Sequence, residues 1–397
     1  MGDKPSLLLI AHTYAIDEHA RKLTELARHF DLTCATVRRG DLGTLYGIAG
    51  ERFGTGQTGL NYERVELPAR GSVASVTRFI LSGLRSVIRR RHWDFVLVEN
   101  EPWAWLKWQA LLACRLGGSV RRYGEFTWEN VRRPGLKGCV LRKVYELSAR
   151  WLDFWICGNM AAGAIVRDAG MAENRVLICP QVGVELPHPV PLSADQKREF
   201  RRAEGLPGKA FIVGFGGRLV EEKGILDLVR AIEMLPESER GGETGVHLAL
   251  KGHGCLRDEL VRKSKDARWL HVLDPVPHHD LPRFLGSLDL LILGSHPVNG
   301  NGICWEEQFG HILVEGMAAG CLAAGSSSGA IPEVIDDSEM IFPIENSAAI
   351  CALIRKVRSD DEFSSAKRAR QMKRLQEHFT HAAVADRLAD FLINKLS

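Results

Sequence analysis

The chain predicts an α/β protein built from two doubly wound, Rossmann-like domains facing across a cleft. Three observations carry that expectation. Apolar runs of strand length alternate with segments of helical spacing, the pattern of parallel sheets covered on both faces. The alternation stops once, at the polar, Pro- and Gly-bounded stretch LPHPVPLSADQKREFRRAEGLPG around 186–208, and then begins again. At 397 residues the chain is also too long for one comfortable core. The expected divisions are 1–190, 191–375 and a C-terminal helix over 376–397 that packs back toward the N-terminal domain.

In order, SLLLIAH (6–12) reads as a buried strand ending in a polar loop. ARKLTELARHF has helical spacing at Leu23, Leu26, Ala27 and Phe30, and DLTCATV is strand again. Glycines at 40, 43, 47, 50, 54, 56 and 59 mark a long loop. The segment from Val73 to Arg91 reads as a basic amphipathic helix with Val76, Phe79, Ile80, Leu84, Val87 and Ile88 on its apolar side. DFVLVEN is a strand, and Pro102 opens a Trp-rich helix. SVRRY, FWICG and VLICP are further strands, separated by helical patterns near 139–150 and 160–169. After the boundary, FIVGFGG runs from strand into a glycine turn, and Ile225, Leu228, Val229, Ile232 and Leu235 give clean helical spacing. HLALKG, LHVL and DLLIL are strands, with helices near 255–265 and 279–286. Val384, Leu388, Phe391 and Leu392 line one face of the last helix.

The composition, 45% apolar and 25% charged, is that of a globular chain and argues against long disorder. No run approaches the roughly 18 apolar residues of a membrane span, and no signal peptide opens the chain. MGDKPS formally fits a myristoylation pattern at Gly2, which chance explains better. Nine cysteines without a CxxC pair read as buried thiols of a cytoplasmic protein, not as a disulfide framework or a zinc site. Charge is uneven. Residues 1–190 hold 26 Lys/Arg against 19 Asp/Glu, and the remainder 26 against 30. The excess gathers at Arg85, Arg89, Arg90 and Arg91 and at Arg132, Arg133, Lys137, Arg142 and Lys143. Such a half suits a phosphate-bearing acceptor or an anionic membrane surface, against the plainer reading of a solvated helix face. Nucleic acid fits poorly, because no stacking aromatics interleave the arginines.

Two motifs carry the chemistry. GFGGRLVEEKG (214–224) follows a strand and precedes a helix, but Leu219 stands where a dinucleotide fingerprint needs glycine and no GK[ST] is present. Arg218 and Lys223 beside glycines suit a diphosphate, since charge-assisted bonds are the strong ones. The second is WEEQFGHILVEGMAAGCLAAGSSSGAIPE (305–333). It combines Glu307 before a Phe-Gly step, Glu315 among Ile312, Leu313, Val314 and Met317, and a Ser/Gly turn. A carboxylate in apolar surroundings needs partners, and ligand hydroxyls would serve.

GGRLVEEKG, KGHG, EEQFGHILVEGMAAG and SGAIPEVI, in this order and spacing, resemble the C-terminal half of retaining GT-B glycosyltransferases of the GT4 type (glycosyl transferases group 1) over about 210–340. ENEPW at Glu99 and GEFTWEN at Gly124 are similar to acceptor-side loops of the same family. The resemblance implies the following roles. Arg218 and Lys223 hold a donor diphosphate with the Gly216–Gly217 amides. Glu307 contacts donor-sugar hydroxyls near the amides of Phe309, Gly310 and His311. Glu315 binds the ribose, and Val276 and Pro277 lie against the base. Gly252 and Ile312 complete the donor set, and Arg218, Lys223 and Glu307 are the implied catalytic residues. No divalent metal or other cofactor is obligatory in such an architecture. The chain departs from the family at His12, Thr13 and Tyr14, where many relatives have a Gly-rich turn. It departs again at Glu125, Glu129 and Asn130, where many carry a histidine. His12, Tyr14, Glu125, Glu129 and Asn130 are therefore the acceptor-side candidates.

The expected activity is transfer of a sugar, with retention, from a UDP-, GDP- or other nucleoside-diphosphate sugar to a glycan, glycolipid or other hydroxyl acceptor. Bacterial polysaccharide or glycoconjugate synthesis is the expected setting. The expected location is the cytoplasm, with peripheral contact at the inner face of the cell membrane. The rivals are a GT-B epimerase or phosphorylase and a non-catalytic sugar-nucleotide-binding protein.

Overall fold

The computed structural model describes residues 4–38, 59–72, 77–117, 119–186, 192–300 and 303–396. Gly2 and the glycine-marked loop at 40–56 lie outside them. The chain divides into two compact units, Met1–Gly183 with His381–Ser397, and Val184–Thr380.

The first unit contains β1 (Ser6–Ile10), α1 (Asp17–Leu26), β2 (Asp31–Val37), β3 (Glu63–Leu67), β4 (Ala69–Ser72), β5 (Arg78–Leu81), α2 (Leu84–Ile88), β6 (His92–Glu99), α3 (Trp105–Arg115), β7 (Ser119–Thr127), α4 (Gly135–Trp151), β8 (Phe154–Cys157), α5 (Met160–Asp168) and β9 (Val176–Ile178). Seven of these strands form one parallel sheet in the order β3-β2-β1-β6-β7-β8-β9. The period of two explains its continuous apolar runs. Leu8, Ile10, Val96 and Val98 face one core, together with Leu106 and Tyr145. Leu7, Leu9, Phe95 and Leu97 face the other. Each such fully buried side chain contributes about 1.5–3 kcal/mol relative to exposure.

The helix expected over Val73 to Arg91 is not formed. Residues 73–76 lie outside the description, and β4 and β5 then pair as an antiparallel hairpin before the short α2. Phe79 and Leu81 are buried while Arg78 is exposed, the alternation of a strand. Gly83, at φ 89°, breaks the segment in the left-handed region before α2 starts.

The second unit contains α6 (Ala194–Ala203), β10 (Phe211–Gly216), α7 (Ile225–Glu233), β11 (Val246–Lys251), α8 (Arg257–Ser264), β12 (Leu270–Leu273), α9 (Leu281–Ser287), β13 (Leu290–Leu293), β14 (Val298–Gly300), β15 (Ile303–Trp305), α10 (His311–Ala318), β16 (Leu322–Ser326), α11 (Ile331–Ile335), β17 (Ile341–Phe342), α12 (Ser347–Ser359) and α13 (Asp361–His378). Its six-stranded parallel sheet has the order β12-β11-β10-β13-β16-β17. The stretch read as a linker holds α6, whose start is a capping box. Ser193 Oγ accepts from the Gln196 N–H, and the Gln196 side chain returns the bond. The final helix, α14 (His381–Asp390), belongs to the first unit, where Val384, Leu388, Phe391 and Leu392 join the core containing Leu7 and Leu9. Among the described residues no helix is long and apolar enough to cross a membrane. Cys139 and Cys255 are exposed, unlike Cys34, Cys114, Cys157, Cys179, Cys321 and Cys351.

Candidate functional site

In the second unit the strand order reverses between β10 and β13, and ligands of doubly wound sheets bind beyond the carboxyl ends of strands at such a switch point. The sequence places its chemistry there. After β10 comes the Gly216–Lys223 turn, and after β13 come Gly294 and Ser295.

Backbone approach explains the glycines. A Cβ on Gly252 would stand 1.9 Å from the Gly217 carbonyl oxygen, and one on Gly254 would stand 2.3 Å from that of Leu219. Both glycines also have positive φ, at 151° and 157°. The KGHG segment therefore lies directly against the Gly217–Leu219 backbone, so Gly252 shapes the turn. One expectation is corrected here. The Gly217 N–H is donated to the Lys251 carbonyl at 3.0 Å, because the ladder between β10 and β11 runs one residue past the strand. That amide is not available to an anion.

Lys223 and Glu307 meet. Lys223 Nζ is 2.5 Å from Glu307 Oε2, and Ser295 Oγ donates to the same oxygen at 2.7 Å. The Lys223 ammonium also stands 4.8 Å from the centroid of the Trp305 ring. Glu307 is held through its backbone as well. Its carbonyl accepts from the Ala330 N–H at 2.9 Å, and a Cβ on Gly329 would stand 2.1 Å from that oxygen. This is what the Ser/Gly turn of SSSGAIPE does. Arg218 is exposed, with Nη1 3.4 Å from Glu222 Oε1.

Glu315 lies on α10, whose N-cap is Gly310 at φ 76°. First-turn amides of a helix lack intrahelical acceptors, so His311 and Ile312 begin a segment suited to an anion. Ile312 Cδ1 is 3.4 Å from where a Gly216 Cβ would be, which brings those two predicted residues together. Phe309 is buried edge-on to Phe379, with ring centroids 5.7 Å apart. Glu315 Oε1 is 2.6 Å from His278 Nε2 and 3.2 Å from His311 Nδ1. Burial alone would raise its pKa, but the two histidines outweigh burial and hold it down to about 2. Pro277 caps the short turn that carries His278, so the Val276–Pro277 segment is tied to Glu315. Ser295 and His278 were not singled out from the sequence. Their signals were a serine just past the apolar run of β13 and a histidine directly after Pro277.

The acceptor-side candidates are placed differently. In the first unit the order reverses between β1 and β6, and His12 follows β1 there. It is buried, edge-on to Phe79, and burial lowers its pKa to about 4. Tyr14 is fully buried. Its hydroxyl donates to Glu99 Oε2 at 2.6 Å and accepts from Lys22 Nζ at 2.9 Å, while Lys22 Nζ also bonds Glu99 Oε1 at 2.8 Å. Tyr14 thus holds the loop together from inside. Glu125 is fully buried with Lys107 Nζ 3.5 Å away, and burial pushes its pKa up to about 7. Glu129 is paired with Arg133 at 2.9 Å. Its neighbour Asn130 is half-buried. Glu129, Arg133, Arg142 and Tyr145 line a pocket of about 270 Å³. Neither Tyr14 nor Glu125 is exposed to a ligand in this conformation. Among the described residues no group of three or more His, Cys, Asp or Glu is arranged to hold a metal ion.

Comparison with known proteins bears on the same segment. Residues 196–376 match the family model for glycosyl transferases group 1. The matched segment contains every donor-side residue named above. The D-inositol 3-phosphate glycosyltransferase of Xylanimonas cellulosilytica is 28% identical over 186 residues, 44% of this chain and 40% of that protein. The 2-deoxystreptamine N-acetyl-D-glucosaminyltransferase of Streptomyces fradiae is 27% identical over 149 residues, 36% of this chain and 32% of that protein. The matches thus span about two fifths or less of these relatives' own length. Among solved structures, Anabaena HepE in complex with UDP superposes with a TM-score of 0.69, covering 97% of this chain and 98% of that one at 16% identity. This likeness shows the fold, two Rossmann-like domains of the GT-B class.

Proposed function

We propose that the protein is a glycosyltransferase that moves a sugar from a nucleoside-diphosphate sugar to an acceptor hydroxyl, with the second unit holding the donor. The observation that carries this reading is the Lys223–Glu307 pair at the switch point of the second sheet, 2.5 Å apart and joined by Ser295. A cation already beside a carboxylate is matched to a ligand with a diphosphate next to sugar hydroxyls. On binding, Lys223 exchanges its carboxylate for phosphate oxygens with Arg218, and Glu307 accepts from sugar hydroxyls. Catalysis is then positioning plus stabilisation of charge developing on the departing diphosphate. Glu315, kept ionised by its histidines, accepts from the ribose hydroxyls.

Transfer with retention, without an obligatory metal, is the finer proposal. It draws on the resemblance and on Arg218 and Lys223 as the charge-bearing groups. UDP or GDP is proposed as the nucleotide, the UDP complex of HepE favouring UDP as the first to test. The acceptor is proposed to be a glycan or glycolipid in bacterial polysaccharide or glycoconjugate synthesis, in the cytoplasm and at its membrane face, with the first unit on the acceptor side. Two relatives are named for D-inositol 3-phosphate and 2-deoxystreptamine, in keeping with a hydroxyl acceptor. Thermal-shift titration with UDP-, GDP- and ADP-sugars tests the donor. A ligand at 100 times its dissociation constant adds about 2.7 kcal/mol. No stabilisation by any of them contradicts the proposal.

A further inference from the structure

Helix α4 is amphipathic the wrong way round for a helix that only covers a sheet. Tyr145, Ser148 and Ala149 face the core. The opposite side presents Leu136, Val140, Leu147 and Trp151 to solvent, Leu136 being 87% exposed and Val140 63%. On α3, Trp105 and Leu112 are likewise exposed, as is Leu116 at its C-cap. The two stripes meet. Trp108 and Trp151 stand edge-on with centroids 6.1 Å apart, and Arg115 Nη2 donates to the Trp151 carbonyl at 2.9 Å. More than half of the exposed large apolar side chains among the described residues lie on this one face. Apolar patches of that kind on soluble proteins mark docking surfaces.

Charge identifies the occupant. Lys137, Lys143 and Arg150 are exposed beside the stripe on α4, and Arg115 is exposed on α3. The sole acid of the two helices, Glu146, is paired with Lys143 at 2.6 Å. A second copy would bring the same cationic rim against itself. An anionic lipid surface satisfies both features, with apolar side chains below the headgroups, tryptophans at the interface and cations on the phosphates.

We propose that the exposed apolar face of α3 and α4, rimmed by Lys137, Lys143, Arg150 and Arg115, seats the first unit on an anionic membrane surface. This deepens the acceptor side of the function proposed above and rests on different residues from the donor side. The test is co-sedimentation with vesicles of phosphatidylcholine alone and of phosphatidylcholine with phosphatidylglycerol. The wild-type protein pellets with the anionic vesicles, less so at high salt. The exposed-residue variant Leu136→Ser/Val140→Ser/Leu147→Ser loses at least about tenfold in partitioning. Lys137→Glu/Lys143→Glu/Arg150→Glu loses as much by charge alone. Release of nucleoside diphosphate from a soluble donor, measured on the same proteins, stays unchanged. Wild-type protein that pellets with neither vesicle overturns the membrane surface and leaves the donor reading standing. So does equal pelleting by the wild type and both variants. A concentration-dependent dimer abolished by the serine variant gives the face to a second copy and overturns it too.

Discussion

Lys223 Nζ and Glu307 Oε2 stand 2.5 Å apart although 84 residues separate them in the chain. The contact exists because β10 and β13 are neighbours and both turns leave the same end of the sheet. Each group is nearly buried, so each depends on the other. Lys223→Ala removes the cation from the Glu307 carboxylate and lowers stability by about 3 kcal/mol, as breaking a buried pair does. Urea denaturation measures it. A variant as stable as the wild type would show that the pair is not formed in solution.

The histidine pair sets the charge of Glu315. Its folded pKa, about 2, lies below the ordinary 4.5. Its stabilisation is therefore complete above pH 4.5 and is lost as pH falls from 4.5 toward 2. His278→Ala removes the shorter of the two bonds and moves the carboxyl titration upward, as read by carbon NMR. An unmoved titration would remove His278 from the account.

In the first unit the signs differ. Glu125 has its pKa raised to about 7, so its folded form holds a proton that the unfolded chain releases near 4.5, and stability falls as pH rises from 4.5 to 7. His12, lowered to about 4, acts oppositely, and stability is lost as pH falls from 6.5 toward 4. NMR titration of the two side chains checks both. A Glu125 carboxyl titrating near 4.5 would contradict its buried placement.

Gly252→Ala and Gly254→Ala test the backbone packing at the donor turn. Both place a Cβ within 2.3 Å of a carbonyl oxygen and at a strained φ. Each substitution is expected to cost on the order of 1–3 kcal/mol and to weaken donor binding with it. Denaturation midpoints and donor titration read both effects. Alanine at either position without loss would mean that the two turns are not in contact.

Much of this was legible in the sequence because it is written in periodicity. Leu7 to Ile10 and Val96 to Val98 face alternate cores of one sheet, and an apolar run without polar breaks says as much. Glu315 was legible as a carboxylate out of place among apolar residues, and Glu307 as a carboxylate standing before a Phe-Gly step. The hairpin at Arg78–Leu81 was not, because Phe79, Ile80, Leu84, Val87 and Ile88 also fit a helical count. The antiparallel pairing with Ala69–Ser72 and the left-handed Gly83 distinguish the two. The commitment of the Gly217 amide to Lys251 was equally hidden, since it depends on which strands are neighbours. Tyr14 and Glu125 read as loop residues near a ligand. Their partners Glu99 and Lys107 lie far along the chain and draw both inside.

The most direct test of the donor site is release of nucleoside diphosphate from a panel of UDP-, GDP- and ADP-sugars by the wild type, Arg218→Ala and Lys223→Ala. At least one sugar nucleotide should be turned over by the wild type, and each variant should be slower by a factor on the order of a hundred or more. Equal turnover in all three proteins, or none by the wild type with any donor in the presence of glycan and glycolipid acceptors, would contradict it.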